Sequence, residues 1–253
     1  MKTCLSGILF ESRAIADVIK AAGEAGYDAV ELRTNERHLP ATTTVERTHA
    51  LRRLLDSYGL KVACIASFTG EYNRKDDAAC AADLEEFKRY IELAHVLDCG
   101  LVRLLVGGPA SAQASAEDWV RPIAWLKRAE RVAATEGVDA VIEVHNHDLV
   151  DDVESSTKVM REVGGCHLGL IYEPANMFIC GKEYREQAVA ALADHILHVH
   201  VKDAIVPPPG ASAQHPPFRI MPLGLGQMDY LSVFRGLQRI PYLGYVCVEL
   251  SEL

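Results

Sequence analysis

The chain has 253 residues, 49% of them hydrophobic, enough for one large core in a single domain spanning 1–253. A formal net charge of −9 argues against a nucleic-acid partner, because neutralising phosphates needs a basic face. No run of about 18 apolar residues occurs, so no membrane span is expected.

The opening stretch, "MKTCLSGILFESR", carries one early lysine and a short apolar run that soon meets Glu11; it lacks the apolar region and cleavage site of a signal peptide. Seven scattered cysteines without a C-x-x-C pair fit a reducing compartment, so the expected location is cytoplasmic. Cys64 and Cys247 fall inside strand-like runs, where a thiol acts as a small apolar filler.

From there one phrase repeats: an amphipathic helix, a glycine, then a short apolar strand. It reads in "DVIKAAGEAGYDAVEL", "ALRRLLDSYGLKVACIAS", "YIELAHVLDCGLVRLLVGG", "AERVAATEGVDAVIEV", "VMREVGGCHLGLIY" and "FRGLQRIPYLGYVCVEL". Each glycine suits the position just past a helix end, where a left-handed backbone is needed. Asp76, and Ser115 with Asp118 three residues on, mark helix starts. Strands are predicted near Thr3–Leu9, Asp28–Leu32, Lys61–Ser67, Leu101–Val106, Ala140–Val144, His167–Tyr172, Ile196–Val201 and Tyr245–Glu249. Eight strands alternating with helices predict an α/β chain folded as a (β/α)8 TIM barrel. The chain stops four residues after Glu249, so a final outer helix is expected to be missing or vestigial. A doubly wound open sheet is the competitor, weakened because no G-x-G-x-x-G follows the first strand. The proline-rich stretch Val206–Pro217 reads as an excursion from the domain. An apolar seam between the last and first strands predicts a homodimer or homotetramer.

In a TIM barrel the active site lies at the C-terminal ends of the strands. There, the fifth strand ends in Glu143, the sixth in Glu173 and the eighth in Glu249, while the seventh carries His198, His200 and Lys202. Alternation places Leu197, Val199 and Val201 outward and His198, His200 and Lys202 inward; on the last strand Val246, Val248 and Leu250 face out, Cys247 and Glu249 in. Glu143, Glu173, His200 and Glu249 therefore converge. Three adjacent carboxylates repel and resist ionisation, a conflict that a divalent cation removes. Three oxygen donors and one imidazole favour Mn²⁺, with Mg²⁺ or Co²⁺ close behind and Zn²⁺ not excluded, over a thiolate-rich structural zinc site. His145, the next inward position, should overhang the ion and touch substrate. Plainer readings stand beside these. A single strand-end glutamate is commonly a solvated cap or salt-bridge partner. His198 reads as a hydrogen-bonded core histidine, His147 and Asp148 as the start of the next helix, and Glu31 as structural. Arg103 suits either an oxygen-rich substrate or a carboxylate partner.

With "VIEVHNHD", "GLIYEPANMF", "HVHVKD", "RIMPLGLGQMDY" and "YVCVEL", essentially the whole chain resembles the sugar phosphate isomerase/epimerase superfamily, the xylose isomerase-like TIM barrels. These include ketose 3-epimerases, hydroxypyruvate isomerases and inosose dehydratases. The resemblance implies metal ligands at Glu143, Glu173, His200 and Glu249. It also marks two departures. Glu173 stands where aspartate is usual and is one methylene longer, which would displace the metal. Asn176 stands where a substrate-binding histidine is frequent, which counts against a standard ketohexose. Lys202, Asp203 and Arg219 match a substrate-side stretch.

The implied activity is metal-dependent epimerisation or isomerisation of a carbohydrate through an enediolate. Glu143 and Glu249 would each ligate through one oxygen, keep the other free, and move protons on opposite faces. The rivals are a dehydratase or lyase with His145 as acid, a DNA-repair endonuclease of the same fold, and a non-catalytic sugar-binding protein. The only glycine loop resembling a phosphate cradle is "PLGLG", which favours an unphosphorylated sugar.

Overall fold

The computed structural model describes residues 1–208 and 218–250. Eight parallel strands close into a barrel: β1 (Lys2–Ser6), β2 (Ala29–Arg33), β3 (Lys61–Ala66), β4 (Leu101–Leu104), β5 (Asp139–Glu143), β6 (Leu168–Tyr172), β7 (Ile196–Val201) and β10 (Tyr245–Val248), with β10 seated between β7 and β1. The TIM barrel expected from the repeating helix–strand phrase is therefore the fold. β8 (Asp203–Ile205) and β9 (Arg219–Met221) form an antiparallel ribbon after β7. Residues 209–217, most of the expected excursion, lie outside the described residues.

Helices α1 (Ile15–Glu24), α2 (Val45–Ser57), α3 (Asp77–Leu97), α4 (Ala116–Glu136) and α5 (Val153–Val163) each follow one strand, α6 (Pro174–Ile179) and α7 (Glu186–Ala191) both follow β6, and α8 (Tyr230–Arg239) precedes β10. No helix follows β10 among the described residues. Both predicted helix starts hold: Asp76 accepts from the Ala79 amide at 2.8 Å, and Ser115 with Asp118 forms a reciprocal capping box. His147 and Asp148 do not start a helix; His147 sits in a turn at φ 66°, and α5 is capped by Asp152.

Two glycines miss their expected role. After α3 the left-handed position is taken by Asp98 (φ 57°) rather than Gly100. Gly244 lies beyond the end of α8, and a Cβ there would come within 2.6 Å of the Tyr242 hydroxyl, so close packing demands the glycine. The first strand also stops early, because the Ser6 hydroxyl accepts from the Ile8 amide and starts a 3-10 turn over Gly7–Phe10.

Inside the barrel, Cys4, Ala29, Ala63 and Cys247 form one apolar layer, with Cys4 and Cys247 directly in register. Cys64, Val141 and Ile171 form another. Leu197 departs from the expected alternation. The β6–β7 pairing steps from Leu170↔Ile196 to Ile171↔His198, and the skipped Leu197 packs on the Cys64–Val141–Ile171 layer.

The glycine loop after β9 has a defined occupant. The Asp203 carboxylate accepts from the amides of Gly224 (2.9 Å), Gly226 (3.0 Å) and Met228 (3.1 Å), as well as from Ala204 (2.9 Å). The cradle is filled by the chain's own anion, and a Cβ at Gly226 would lie 2.1 Å from Asp203 Oδ1. Asp203, expected on the substrate side, instead ties this loop to the end of β7. Asp203→Ala should strand these amides and lower stability by about 1–3 kcal/mol, read from the urea midpoint; an unchanged midpoint would contradict the clamp.

Candidate metal centre and cavity

Glu143 is the last residue of β5, Glu173 follows β6, His200 lies within β7, and Glu249 is one residue past β10. Their candidate ligand atoms all lie within 4.8 Å of one another, and all four residues are buried. His200 Nδ1 is 3.9 Å from Glu143 Oε1, 3.8 Å from Glu173 Oε2 and 3.7 Å from Glu249 Oε1. Glu173 reaches the ring as closely as the other two. Its Oε1 turns back to cap α6 at the Ala175 amide (3.0 Å), which takes up the extra methylene. Among the described residues, neither His200 Nδ1 nor Glu173 Oε2 has a hydrogen-bond partner, although both are buried. Two buried groups without hydrogen bonds, set among carboxylate oxygens, suit a cation better than a proton network. Metal–donor bonds of about 2.0–2.2 Å need only a modest contraction of this ring, so the donor set fits one divalent ion.

His200 is held from behind. Its Nε2 donates to Glu31 Oε2 at 2.8 Å, and Ser6 Oγ donates to Glu31 Oε1 at 2.8 Å. Burial opposes the charge on Glu31, but His200 and His198 outweigh it and hold the carboxyl well below its usual range. Burial likewise disfavours a charged His200, yet Glu31 and Glu249 raise it to about 10. Glu31 is therefore more than a structural residue: its bond to Nε2 holds the imidazole with Nδ1 turned toward the ring. The signal for it was present, since Ala29, Glu31 and Arg33 share the inward phase of β2.

His198, fully buried, lies with Nε2 3.4 Å from Glu31 Oε2 but makes no hydrogen bond, so the expected core histidine is only loosely held. Glu31, His198, His200 and Cys247 form a second, deeper group with candidate ligand atoms within 4.8 Å. There, however, both Glu31 oxygens are already committed, and burial pushes the Cys247 thiol well above its ordinary value.

Each outer carboxylate carries a cation. Arg103 Nη1 donates to Glu143 Oε2 and Lys202 Nζ to Glu249 Oε2, both at 2.7 Å, with Lys202 also 3.3 Å from Glu173 Oε2. Arg103 thus takes the carboxylate-partner role. The free second oxygen expected on each glutamate is paired instead. Burial and Glu249 raise the Glu143 pKa, but Arg103 and His200 prevail and lower it. Burial is likewise outweighed at Glu249, where Lys202 and His200 hold the carboxyl at about 2. Glu173 goes the other way: burial, reinforced by Glu249 and Glu143, raises it despite Lys202. Tyr230 clamps the Lys202 backbone, donating to its carbonyl and accepting from its amide at 3.0 Å.

A cavity of about 490 Å³ opens over the ring, walled in part by Arg33, Phe68, Arg103, His145 and Lys202. Of the four ring residues, Glu143 and Glu249 line it; Glu173 and His200 lie behind them. Two outer grooves of about 590 and 570 Å³ are larger but include no ring residue. His145 is half-exposed in the cavity wall, with Nδ1 2.9 Å from the Asn146 carbonyl. Two expected substrate contacts are placed elsewhere. Asn176 is buried and donates to Glu143 Oε1 (3.3 Å) and the Val144 carbonyl (3.2 Å), so it positions Glu143. Arg219 sits exposed on β9, with Nη2 on Met221 Sδ, and does not line the cavity. Arg33 and Phe68 were not anticipated.

A closed (β/α)8 barrel with an acidic, histidine-containing ring at its C-terminal mouth defines a TIM-barrel protein with a candidate divalent-metal centre. The family model for the xylose isomerase-like TIM barrel matches residues 19–252, and the chain belongs to that family. L-ribulose-5-phosphate 3-epimerase UlaE of Shigella flexneri is 23% identical over 238 residues, spanning 92% of this chain and 80% of that protein. Among solved structures, the probable 3-DHS dehydratase AsbF of Bacillus anthracis superposes with a TM-score of 0.83 at 18% identity, covering 99% of this chain and 93% of that one. The IOLI protein with a binding zinc atom gives 0.82 at 19% identity, covering 100% and 90%. No helix among the described residues is long and apolar enough to cross a membrane.

Because the His200 pKa is raised to about 10, an ion entering the ring must displace a proton. Calorimetry with Mn²⁺ near pH 7, in buffers of different ionisation enthalpy, should show about one proton released per ion and affinity rising with pH. Glu31→Gln should weaken binding about 10–100-fold. Binding without proton release, or an unaffected Glu31→Gln, would contradict this geometry.

Proposed function

We propose that the chain is a divalent-metal-dependent epimerase or isomerase of a polyhydroxy carbonyl compound. The observation that carries this reading is that Glu143 and Glu249, three strands apart around the barrel, are the two ring carboxylates that line the cavity. Held by Glu143, Glu173, His200 and Glu249, the ion (Mn²⁺ in our reading) would polarise the substrate carbonyl and its neighbouring hydroxyl, acidifying the intervening C–H.

The chain's own groups do the rest. Glu249 takes the proton on one face, and Glu143, after taking up a proton from solvent through His145, delivers it on the other, giving the epimer; delivery to the adjacent carbon gives the isomer. Arg103 and Lys202 keep both carboxylates ionised at neutral pH, at some cost in basicity. The Lys202 ammonium, kept protonated because Glu173 and Glu249 outweigh its burial, stands beside Glu249 to stabilise negative oxygen on the substrate. His145, at the cavity wall, relays protons between oxygens. The epimerase relative at 23% identity supports this class.

A second reading has its own support. The half-exposed His145 lies on the cavity wall, where it could deliver a proton to a departing β-hydroxyl. Product mass separates the two, since only dehydration loses water.

Glu249→Gln should retain metal through its amide oxygen yet lose turnover about 10²–10⁴-fold. In D₂O it should exchange the α-hydrogen of one epimer without interconverting the pair. Near wild-type epimerisation by this variant with metal bound would exclude the two-base mechanism.

The proposed assembly is a homodimer or homotetramer. Leu225, Leu231 and Leu243, each more than 60% exposed, fall in the segment leading into β10. Sedimentation at micromolar concentration should show an oligomer, and only monomer would contradict it.

A further inference from the structure

Four cationic side chains line the cavity, and three have close partners. Arg103 holds Glu143 at 2.7 Å, Lys202 holds Glu249 at 2.7 Å, and Arg74 holds Glu71 at 2.7 Å and approaches Asp148 at 3.7 Å. Arg33 is different. Its side chain is 9% exposed; among the described residues its Nη2 makes only a 3.4 Å contact with Glu11, whose own side chain is 51% exposed, and its Nε has no hydrogen-bond partner. A guanidinium buried this deeply with an unused N–H is costly unless something else binds it.

Its place and its support are both defined. Arg33 ends β2, sharing the inward phase of Glu31, and β2 lies diametrically across the barrel from β6, which leads into Glu173. Its guanidinium stacks on Phe68, with Cζ 4.5 Å from the ring centroid, and Arg103 approaches the same ring at 5.7 Å. Phe68 is itself 45% exposed and lines the cavity. The stack fixes the orientation of the guanidinium without consuming its donors.

We infer that Arg33 is a specificity-determining residue that binds an anionic terminus of the substrate, so that the substrate is an acidic polyhydroxy carbonyl compound carrying a carboxylate or a phosphate monoester away from its reacting carbon. Both groups offer the paired oxygens that a guanidinium fork matches. The Asp203-filled glycine loop is not the anion site, since its amides are already engaged. This inference rests on the enediolate reading above and deepens it by naming the charge of the substrate.

The test uses the Mn²⁺-loaded full chain and two matched pairs of probes: D-ribulose with D-ribulose 5-phosphate, and D-fructose with D-fructuronate. Calorimetric binding and solvent deuterium uptake are measured for wild type, Arg33→Gln and Arg33→Lys. In wild type, at least one anion should bind about tenfold or more tightly than its neutral partner, and the pair showing the preference identifies the anion. Arg33→Gln should abolish that preference, weakening the anionic probe about tenfold or more relative to its neutral partner; Arg33→Lys should keep part of it. Equal binding of neutral and anionic probes by wild type, or equal weakening of both by Arg33→Gln, overturns the inference. Anion preference without deuterium uptake from any probe instead overturns the proposed chemistry and leaves the anion site standing.

Discussion

Four carboxylates, Glu31, Glu143, Glu173 and Glu249, are buried together at one end of a barrel otherwise lined by small apolar side chains. Taking carboxylates from water costs several kcal/mol each unless charge and hydrogen bonds compensate. Several polar groups nearby answer that constraint. Arg103 and Lys202 each cover an outer carboxylate, and Ser6 and His200 together satisfy Glu31. Among the described residues, His198, His200 Nδ1 and Glu173 Oε2 are left without hydrogen bonds; the last two face the other ring oxygens, and Glu173 Oε2 has only the 3.3 Å approach of Lys202 Nζ. The proposed ion belongs there because the protein's own groups stop short of that point.

The barrel makes this arrangement rigid. Glu31 and His200 are 169 residues apart, yet strand closure through β1 and β10 sets them in hydrogen-bond contact. The peripheral contacts serve the same end. The Asp203 clamp and the Tyr230 hydroxyl fix the backbone around Lys202, and Asn176 reaches from α6 to steady Glu143. The proposed proton transfer by two carboxylates would need such control, because a small misplacement of a base costs orders of magnitude in rate.

Much of this is legible in the sequence, for physical reasons. A barrel strand has period two, so the alternation in "ILHVHVKD" and "YVCVEL" by itself puts His200, Lys202 and Glu249 on the inner face. The helix–glycine–strand phrase specifies eight units for a similar reason. Features that depend on contacts across the barrel escape such a reading. Glu31 looks structural because its partner lies on another strand far along the chain. Asn176 and Arg219 look like substrate contacts because their positions in a motif say nothing about where α6 and the β8–β9 ribbon aim them. The inward turn of Leu197 comes from a pairing irregularity that no local pattern encodes. Arg33 is in phase with Glu31, but only the cavity and its unused N–H give that phase a meaning.

The central claim is that one ion sits in the outer ring, bound through His200 Nδ1 and three carboxylates, and not in the deeper group that also contains His198 and Cys247. Electron spin-echo modulation of the protein carrying one equivalent of Mn²⁺ tests this directly. The account predicts nitrogen coupling from a single directly coordinated imidazole, removed in His200→Gln and retained in His198→Gln. Coupling from two imidazoles, or from none, would contradict it.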